Sequence, residues 1–309
     1  MQWTLALALL VGYASAQGRM PMMRFSCSQL VVDRIDPLVD PGAVPSPHLH
    51  QIVGGNSFNA SMDPATHDLP AASTCTSCTF SEDFSNYWTA VLFFKARNGS
   101  FMRVPQLPEE GLKGNGGITV YYIAPTKKEL GVTAFRPGFR MLVGDAGLTS
   151  SPKTPAHKVC HRCKPAKGDN SNINCGAPDK DTLPTGFCAG GIRSIITFPT
   201  CWDGKNLDSP DHKSHITYAT GAAVNDVGPT GKCPSSHPVV IPQVMYEVVW
   251  DVSFAFQSSI GSRLCLQQLV FRYQVYFLTR AILQTKIFNK KELWPEDGSQ
   301  PFVWSTGDQ

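Results

Sequence analysis

Two histidines separated by one residue are the first side chains in this sequence that could do chemistry. They occur in the run Pro47-His48-Leu49-His50-Gln51. Alternate residues of a strand share a face, so we expect the two imidazoles to point the same way. Such a pair suits one edge of a metal site or an acid–base pair. The alternative is that both histidines are satisfied by hydrogen bonds at a cleft.

A second group of reactive side chains lies in the fifteen residues from Cys201 to His215. Its charged and titratable members are Asp203, Lys205, Asp208, Asp211, His212, Lys213 and His215. The segment follows a predicted strand, and loops on a rigid sheet often carry binding groups. Asp208 or Asp211 could orient a histidine that acts as a general base. The alternative is a polar loop whose carboxylates cap turns.

Together these groups predict six candidate catalytic residues, which are His48, His50, Asp208, Asp211, His212 and His215. The sequence commits to no cofactor. A divalent metal held by the four histidines remains one alternative. That metal site and a shared acid–base cleft both require the two histidine pairs to lie close together in the fold.

Aromatic and hydrogen-bonding residues suggest a sugar-binding surface, because sugar rings stack on aromatic side chains while polar groups bind their hydroxyls. The predicted ligand-binding residues are Trp202, Asp203, Lys205, Asn206, Arg136 and Trp304. The alternative is that the aromatics belong to the core, and for Trp88, within the apolar run YWTAVLFF, that alternative is favoured.

Several functional classes lack support in the sequence. It contains no GxSxG elbow, HExxH motif, P-loop or dinucleotide fingerprint. The formal net charge is +3, which gives no electrostatic case for binding nucleic acid. The predicted partner is instead a polysaccharide, for which the aromatic and hydrogen-bonding residues are suited.

The N-terminal residues predict secretion. Residues 1–16 contain an apolar run, Leu5 to Val11, followed by Ala14-Ser15-Ala16. The run is too short to span a membrane, and the small residues are typical of a signal-peptide cleavage site. We therefore expect a secreted protein with no membrane span after cleavage.

The cysteines and the sequons agree with that compartment. Ten cysteines are present, and in a secreted chain they predict disulfides. Cys160-x-x-Cys163 beside His157 and His161 leaves zinc as a less favoured alternative. The sequons at Asn59 and Asn98 predict glycosylation.

Short runs rich in β-branched and aromatic residues predict the fold. Strands are expected within 28–35, 48–55, 87–96, 116–124, 139–144, 192–198 and 238–254. Residues 17–309 are therefore expected to form a single all-β domain, an antiparallel β-sandwich or jelly roll with long disulfide-stapled loops. Residues 145–190 have the composition of a long stapled insertion.

Residues 252–284 do not fit this pattern. The segment has no acidic residue, and no Gly or Pro after Gly261. Val-Ser at its start can be encoded by a splice-donor sequence, and Leu-Gln at its end can be encoded by a sequence that finishes in a splice acceptor. The hypothesis is that this segment is a translated retained intron.

Several long motifs carry a resemblance to a known family. They include HLHQIVGGN, FPTCWDGKNLDSPDHKSH and WPEDGSQPFVWS, and they resemble a family of secreted fungal proteins of unknown function. Its members are often joined to WSC-type carbohydrate-binding modules. The resemblance covers residues 26 to about 251 and resumes near 285. It implies a β-rich domain associated with cell wall or polysaccharide, and no catalytic set that can be carried over.

The resemblance also has implications for residues 252–284 and for the C-terminus. Family members run almost directly from the equivalent of VVWD into the equivalent of the WPEDGSQPFVWS region, so residues 252–284 are a departure, and Cys265 would then lie outside the native framework. Members also continue beyond the position of Asp308, which implies that this chain lacks a C-terminal piece.

The functional expectation is a secreted protein associated with cell wall or polysaccharide, with a His/Asp/Trp cleft that binds or acts on glycans. Two alternatives remain: a non-catalytic structural component of the wall, and a metal-dependent enzyme that uses the histidine cluster.

Overall fold

The computed structural model shows an almost entirely β chain. It describes residues 22–95, 98–108, 116–125, 131–144, 159–167, 175–185, 187–221, 228, 230–253, 269–270 and 274–278. The strands within these ranges are β1 (Met22–Cys27), β2 (Val31–Asp33), β3 (His50–Gly54), β4 (Asn86–Ala90), β5 (Phe93–Lys95), β6 (Phe101–Arg103), β7 (Gln106–Leu107), β8 (Ile118–Ile123), β9 (Arg140–Gly144), β10 (Val159–Cys163), β11 (Ile192–Thr197), β12 (Cys201–Trp202), β13 (Ile216–Thr217), β14 (Val239–Val240), β15 (Gln243–Trp250), β16 (Leu269–Val270) and β17 (Gln274–Leu278). The described helix, α1 (Leu69–Ala72), is a single turn.

Two antiparallel sheets enclose the main core. The first sheet has the order β1-β8-β15-β11-β10, with β7 also paired to β15, and the second has the order β2-β3-β4-β17-β9. Val53, Tyr87 and Met141 of the second sheet belong to the same buried cluster as Tyr122 and Tyr246 of the first. Alternate residues of each strand share a face, and one set of side chains from each sheet faces this shared core. The predicted all-β sandwich class is confirmed.

A second, smaller cluster covers the opposite face of the second sheet. Ile52, Trp88 and Leu142 project from β3, β4 and β9 and pack against Met62 and Leu69. Trp88 is completely buried, as the core interpretation of this tryptophan expected. The segment around Met62 therefore packs over the outer face of the sheet, next to β9.

Four disulfide bonds lie within the described residues: Cys27–Cys78, Cys160–Cys175, Cys163–Cys188 and Cys201–Cys233. This confirms the predicted stapling. It also argues against the zinc alternative, because Cys160 and Cys163 are both oxidised and His161 faces Ser194 instead. Among the described cysteines, Cys75 is free.

The predicted stapled insertion contains a strand. Residues 159–163 form β10, an edge strand paired with β11 along five residues, and two of the disulfides begin on it. The composition of residues 145–190 indicated a stapled insertion but gave no sign of this strand. The sequence Val-Cys-His-Arg-Cys is polar, and its strand conformation depends on the partner strand and on the disulfides.

Three predictions concern the N-terminal residues, residues 252–284 and the C-terminus. The predicted signal peptide lies outside the described residues. Within residues 252–284, β16 pairs with β5, and β17 pairs with β4 and β9. The retained-intron hypothesis concerns the message and stays a prediction, as does the expected C-terminal truncation.

A buried ionic network fastens the stapled region to the first sheet. Asp179 contacts Arg162 and lies 3.3 Å from the Nη2 of Arg193. Nη1 of Arg193 lies 3.4 Å from Glu247, which accepts a hydrogen bond from the hydroxyl of Tyr121. The Asp179 side chain is only 1% exposed, so its charge is compensated inside the protein.

Removing the Asp179 carboxylate should be strongly destabilising. The substitution Asp179→Ala leaves buried guanidinium charge uncompensated, which costs about 3–5 kcal/mol in comparable networks. Urea denaturation measures this loss. Asp33→Ala, at an exposed position, is the control and should change stability by less than about 0.5 kcal/mol. Equal effects of the two substitutions would contradict the assigned role.

The main core contains a second buried polar group. The Tyr87 hydroxyl donates to the carboxylate of Asp83 and lies 2.7 Å from the Tyr122 hydroxyl. Complete burial raises the pKa of Asp83 to about 6, although hydrogen bonds from Tyr87 and Ser85 oppose the rise. A raised carboxyl pKa adds stability that is fully present below the unfolded pKa and is lost as pH rises through about 6.

The substitution Asp83→Asn should remove this pH dependence while keeping a similar shape. Its free energy of unfolding relative to the parent should rise by roughly 2.5 kcal/mol between pH 4 and pH 7. The comparison at each pH isolates Asp83 from His161, whose burial lowers the pKa to about 4 and acts in the opposite direction. A difference that does not change with pH would show that Asp83 has no raised pKa.

Candidate functional site

The loop from Cys201 to His215 covers the free edge of β9. The backbone N–H of Arg140 donates to the carbonyl of Leu207, and the N–H of Leu142 donates to the carbonyl of His212. The Nζ of Lys213 lies 2.6 Å from the carbonyl of Gly144. These bonds use every second residue of β9, the pattern expected for the outward groups of an edge strand. The loop is thus positioned by the need to satisfy that edge.

Two of the predicted carboxylates build turns within the loop. Asp203 accepts hydrogen bonds from the backbone N–H groups of Lys205 and Asn206. Partial burial would raise the pKa of Asp203, but these hydrogen bonds outweigh it and lower the pKa. Asp211 accepts from the N–H of Ser214 and of Lys213. The Ser214 bond is the main reason that the pKa of Asp211 is well below its usual range.

His215 is a buried link between the loop and β9. Its Nε2 lies 2.8 Å from the carbonyl oxygen of Arg140 and must therefore donate. Its Nδ1 lies 2.8 Å from the Ser209 hydroxyl, which is also 2.8 Å from a carboxylate oxygen of Asp211. Ser209 has a single proton, so all three contacts are satisfied only if Nδ1 is protonated as well. Burial opposes that state and lowers the pKa of His215.

Asp208 and His212 form a dyad at the surface of the loop. The Nδ1 of His212 lies 2.7 Å from a carboxylate oxygen of Asp208, and both side chains are partly exposed. His212 has a φ of 55°, a left-handed conformation that costs a non-glycine residue about 1–2 kcal/mol. Strain of this kind is often kept where a side chain must be aimed. The arrangement orients an imidazole as a general base would require.

Arg140 connects this dyad to a cavity. Its Nη1 lies 4.0 Å from Asp208, and its Nη2 donates to the carbonyl of Met62. Burial lowers the pKa of Arg140, and the negative charges of Asp208 and Asp63 oppose the shift. The residue is only 7% exposed, and its Nε has no hydrogen-bond partner among the described residues. A buried guanidinium N–H without an acceptor is costly.

The cavity measures about 280 Å³. Its walls are about equally polar and apolar, and they consist of Met62, Pro64, Ala65, Thr66, His67, Asp68, Leu69, Pro137, Gly138 and Arg140. A concave site that combines apolar wall with several polar groups can hold a small polar ligand. The residue pattern indicated neither the cavity nor the role of Arg140. The available signal was a charged residue opening the otherwise apolar strand FRMLVG.

The two histidine pairs do not come together. His48 and His50 have ring centroids 6.3 Å apart, and the Nδ1 of His50 lies 3.0 Å from the carbonyl of Ile35. Burial lowers the pKa of His50, partly offset by Asp36. Three strand spacings, about 14 Å, separate β3 from β9. His215 and His212 bond to β9, so the shared cleft is not formed.

The four histidines do not form a metal site, because the two pairs lie apart across the second sheet. No group of three or more His, Cys, Asp or Glu residues that could hold a metal ion is found in the described part of the chain. The strand order of the second sheet explains this separation, because β4 and β17 lie between the two pairs.

The sugar-stacking interpretation of Trp202 was also wrong. Trp202 is only 2% exposed, its Nε1 donates to the carbonyl of Asn206 at 2.6 Å, and its ring packs against Phe139. The guanidinium of Arg136 lies over that ring, 5.0 Å from its centroid. Lys205 and Asn206 are exposed, and Trp304 lies outside the described residues.

The fold and the site define a disulfide-bonded antiparallel β-sandwich protein with a small cavity at one sheet edge. Residues 36–274 match the family described as "Domain of unknown function (DUF1996)", and the chain belongs to this family. No curated protein and no solved structure matches the chain. Within the residues that the structure describes, no helix is long and apolar enough to cross a membrane.

Two substitutions at His212 test whether its backbone is strained. His212→Gly and His212→Ala both remove the imidazole, but only glycine adopts a positive φ without cost. The glycine variant should be more stable than the alanine variant by about 1 kcal/mol in chemical denaturation. At His237, which is not among the described residues with positive φ, glycine should be no better than alanine. If the glycine variant is more stable than the alanine variant at both positions, the backbone strain assigned to His212 is contradicted.

Proposed function

We propose that this protein is secreted and binds a glycan at the cavity beside Arg140, in a fungal cell-wall or polysaccharide setting. The observation that carries the proposal is the cavity that Arg140 lines, because this buried guanidinium has an Nε–H with no acceptor among the described residues. A sugar hydroxyl in the cavity would lie beside this charged group.

The chemistry around the cavity suits sugar hydroxyls. A hydroxyl both donates and accepts, and Arg140 offers a donor beside the acceptor oxygens of Asp208. Pro64, Pro137 and Met62 provide apolar wall against which the C–H faces of a sugar ring can pack. The carboxylates of Asp208 and Asp63 near the guanidinium favour a neutral ligand over an anion. The volume suits about one sugar unit of a longer chain.

The secretory setting rests on independent features. The predicted signal peptide and the four disulfides within the described residues agree with an oxidising compartment. The fungal and cell-wall parts of the proposal rest on the family resemblance of the sequence motifs. The structural wall component remains the alternative if no glycan binds.

Filling the cavity should abolish binding without disturbing the fold. Ala65 lines the cavity and its side chain is exposed, so Ala65→Trp should block the site and weaken binding at least tenfold. Ala72→Trp, on an exposed position outside the lining, is the matched control and should bind as the parent does. The measurement is an affinity titration with soluble oligosaccharides chosen from a wall-glycan array. Equal binding by both variants would place the glycan elsewhere, and no binding by the parent would refute the proposal.

The Asp208–His212 dyad favours a second candidate function, acid–base chemistry on the bound glycan. In that case Asp208→Asn, which keeps one acceptor oxygen, should still bind the glycan but lose at least tenfold in the rate of product formation, because the carboxylate that orients His212 is removed. Product analysis by mass spectrometry with the parent and Asp208→Asn separates the two functions. If the parent protein leaves the glycan unchanged, acid–base chemistry is ruled out and glycan binding is the remaining function.

A further inference from the structure

An apolar edge is exposed at the hairpin formed by β5 and β6. Phe101 is 55% exposed and Met102 is 37% exposed, although most large apolar side chains among the described residues are buried. In the described sheet, β6 pairs with β5 alone and forms its edge. An exposed, apolar edge strand invites pairing with another chain.

The connection between these strands carries a sequon. Lys95 pairs with Phe101, so Asn98-Gly99-Ser100 lies in the turn between them. The Oδ1 of Asn98 accepts hydrogen bonds from the hydroxyl of Ser100 at 2.7 Å and from its backbone N–H at 3.0 Å. Gly99 has a φ of +86°, which a glycine tolerates without strain. Because these bonds lie within three residues, they can form before the rest of the protein folds.

The other sequon is arranged differently. Asn59 is exposed, but its Oδ1 accepts from the N–H of Ala60 at 2.7 Å, and no described hydrogen bond joins it to the hydroxyl of Ser61. In the sequon at Asn98, the hydroxyl donates to the amide oxygen and leaves the exposed Nδ2 for modification.

We propose that Asn98 carries an N-linked glycan and that this glycan covers the apolar edge formed by Phe101 and Met102. Asn98 is three residues from Phe101 and therefore within about 11 Å of it along the chain. A bulky, hydrated glycan at this turn hinders edge-to-edge pairing of β6.

The modification takes place in the secretory pathway, on which the proposal depends, and its donor is a lipid diphosphate-linked oligosaccharide. The Nδ2 of Asn98 forms a bond to C1 of the first sugar, and the bond from C1 to the diphosphate oxygen breaks. The amide loses one proton to a base of the transferase, and the lipid diphosphate departs with the bonding electrons.

The test uses the full chain secreted from a eukaryotic host. Glycopeptide mass spectrometry reads occupancy at Asn98, and sedimentation velocity reads self-association. Asn98→Gln and Ser100→Ala should both lose this glycan and shift from monomer to dimer or larger species, whereas Ser100→Thr should keep it. Asn59→Gln is the matched control and should remain monomeric.

A double variant separates the glycan from the fold. Adding Phe101→Ser to Asn98→Gln should restore the monomer, because the apolar edge is then removed. If Asn98→Gln is not secreted, enzymatic deglycosylation of the purified parent replaces it and should cause the same association. An unmodified Asn98 peptide would overturn the proposal, as would a monomer that persists without the glycan.

Discussion

The hydrogen bonding of one edge strand governs the candidate site. β9 ends the second sheet, and its outward N–H and C=O groups need partners because unpaired buried backbone groups are costly. The loop from Cys201 to His215 supplies them through Leu207, His212, Lys213 and His215. Its other end is held by the disulfide from Cys201 to Cys233 and by pairing of β12 with β13 and β14. Covering the edge in this way brings Asp208 and His212 to Arg140.

The polar residues of the loop fall into two groups: those that hold the loop in place, and those that remain partly exposed beside Arg140. Asp203 and Asp211 hold turns, and His215 holds the loop against β9, so their hydrogen bonds are largely used within the protein. Asp208 and His212 are the partly exposed pair that lies next to the guanidinium of Arg140. His212 also covers the edge with its own carbonyl, and it does so at a φ of 55°.

The strands of both sheets could largely be predicted, because β3, β8, β11 and β15 are apolar runs that form buried strands. β10 could not, since its polar sequence is a strand only beside β11. The loop that contributes Asp208 and His212 was also identified from sequence. Its distance from His48 and His50 depends on strand order, which residue patterns do not encode. Trp202 was misplaced because its sequence neighbours are polar while its ring turns into the core.

The strand between β4 and β9 comes from residues 252–284, the segment of the retained-intron hypothesis. Here β17, from Gln274 to Leu278, pairs with both strands. A chain without residues 252–284 loses both pairings, so β9 would have to pair with β4 directly or with another strand.

The most direct test of the account is the Nε–H resonance of Arg140 in a ¹H–¹⁵N spectrum, followed while an oligosaccharide that binds the protein is added. This resonance, assigned through Arg140→Lys, should shift and saturate with the same affinity as the binding isotherm, because Arg140 lines the cavity in which the ligand is proposed to bind. Binding that leaves the Arg140 resonance unmoved would contradict the claim that the cavity beside this guanidinium is the site.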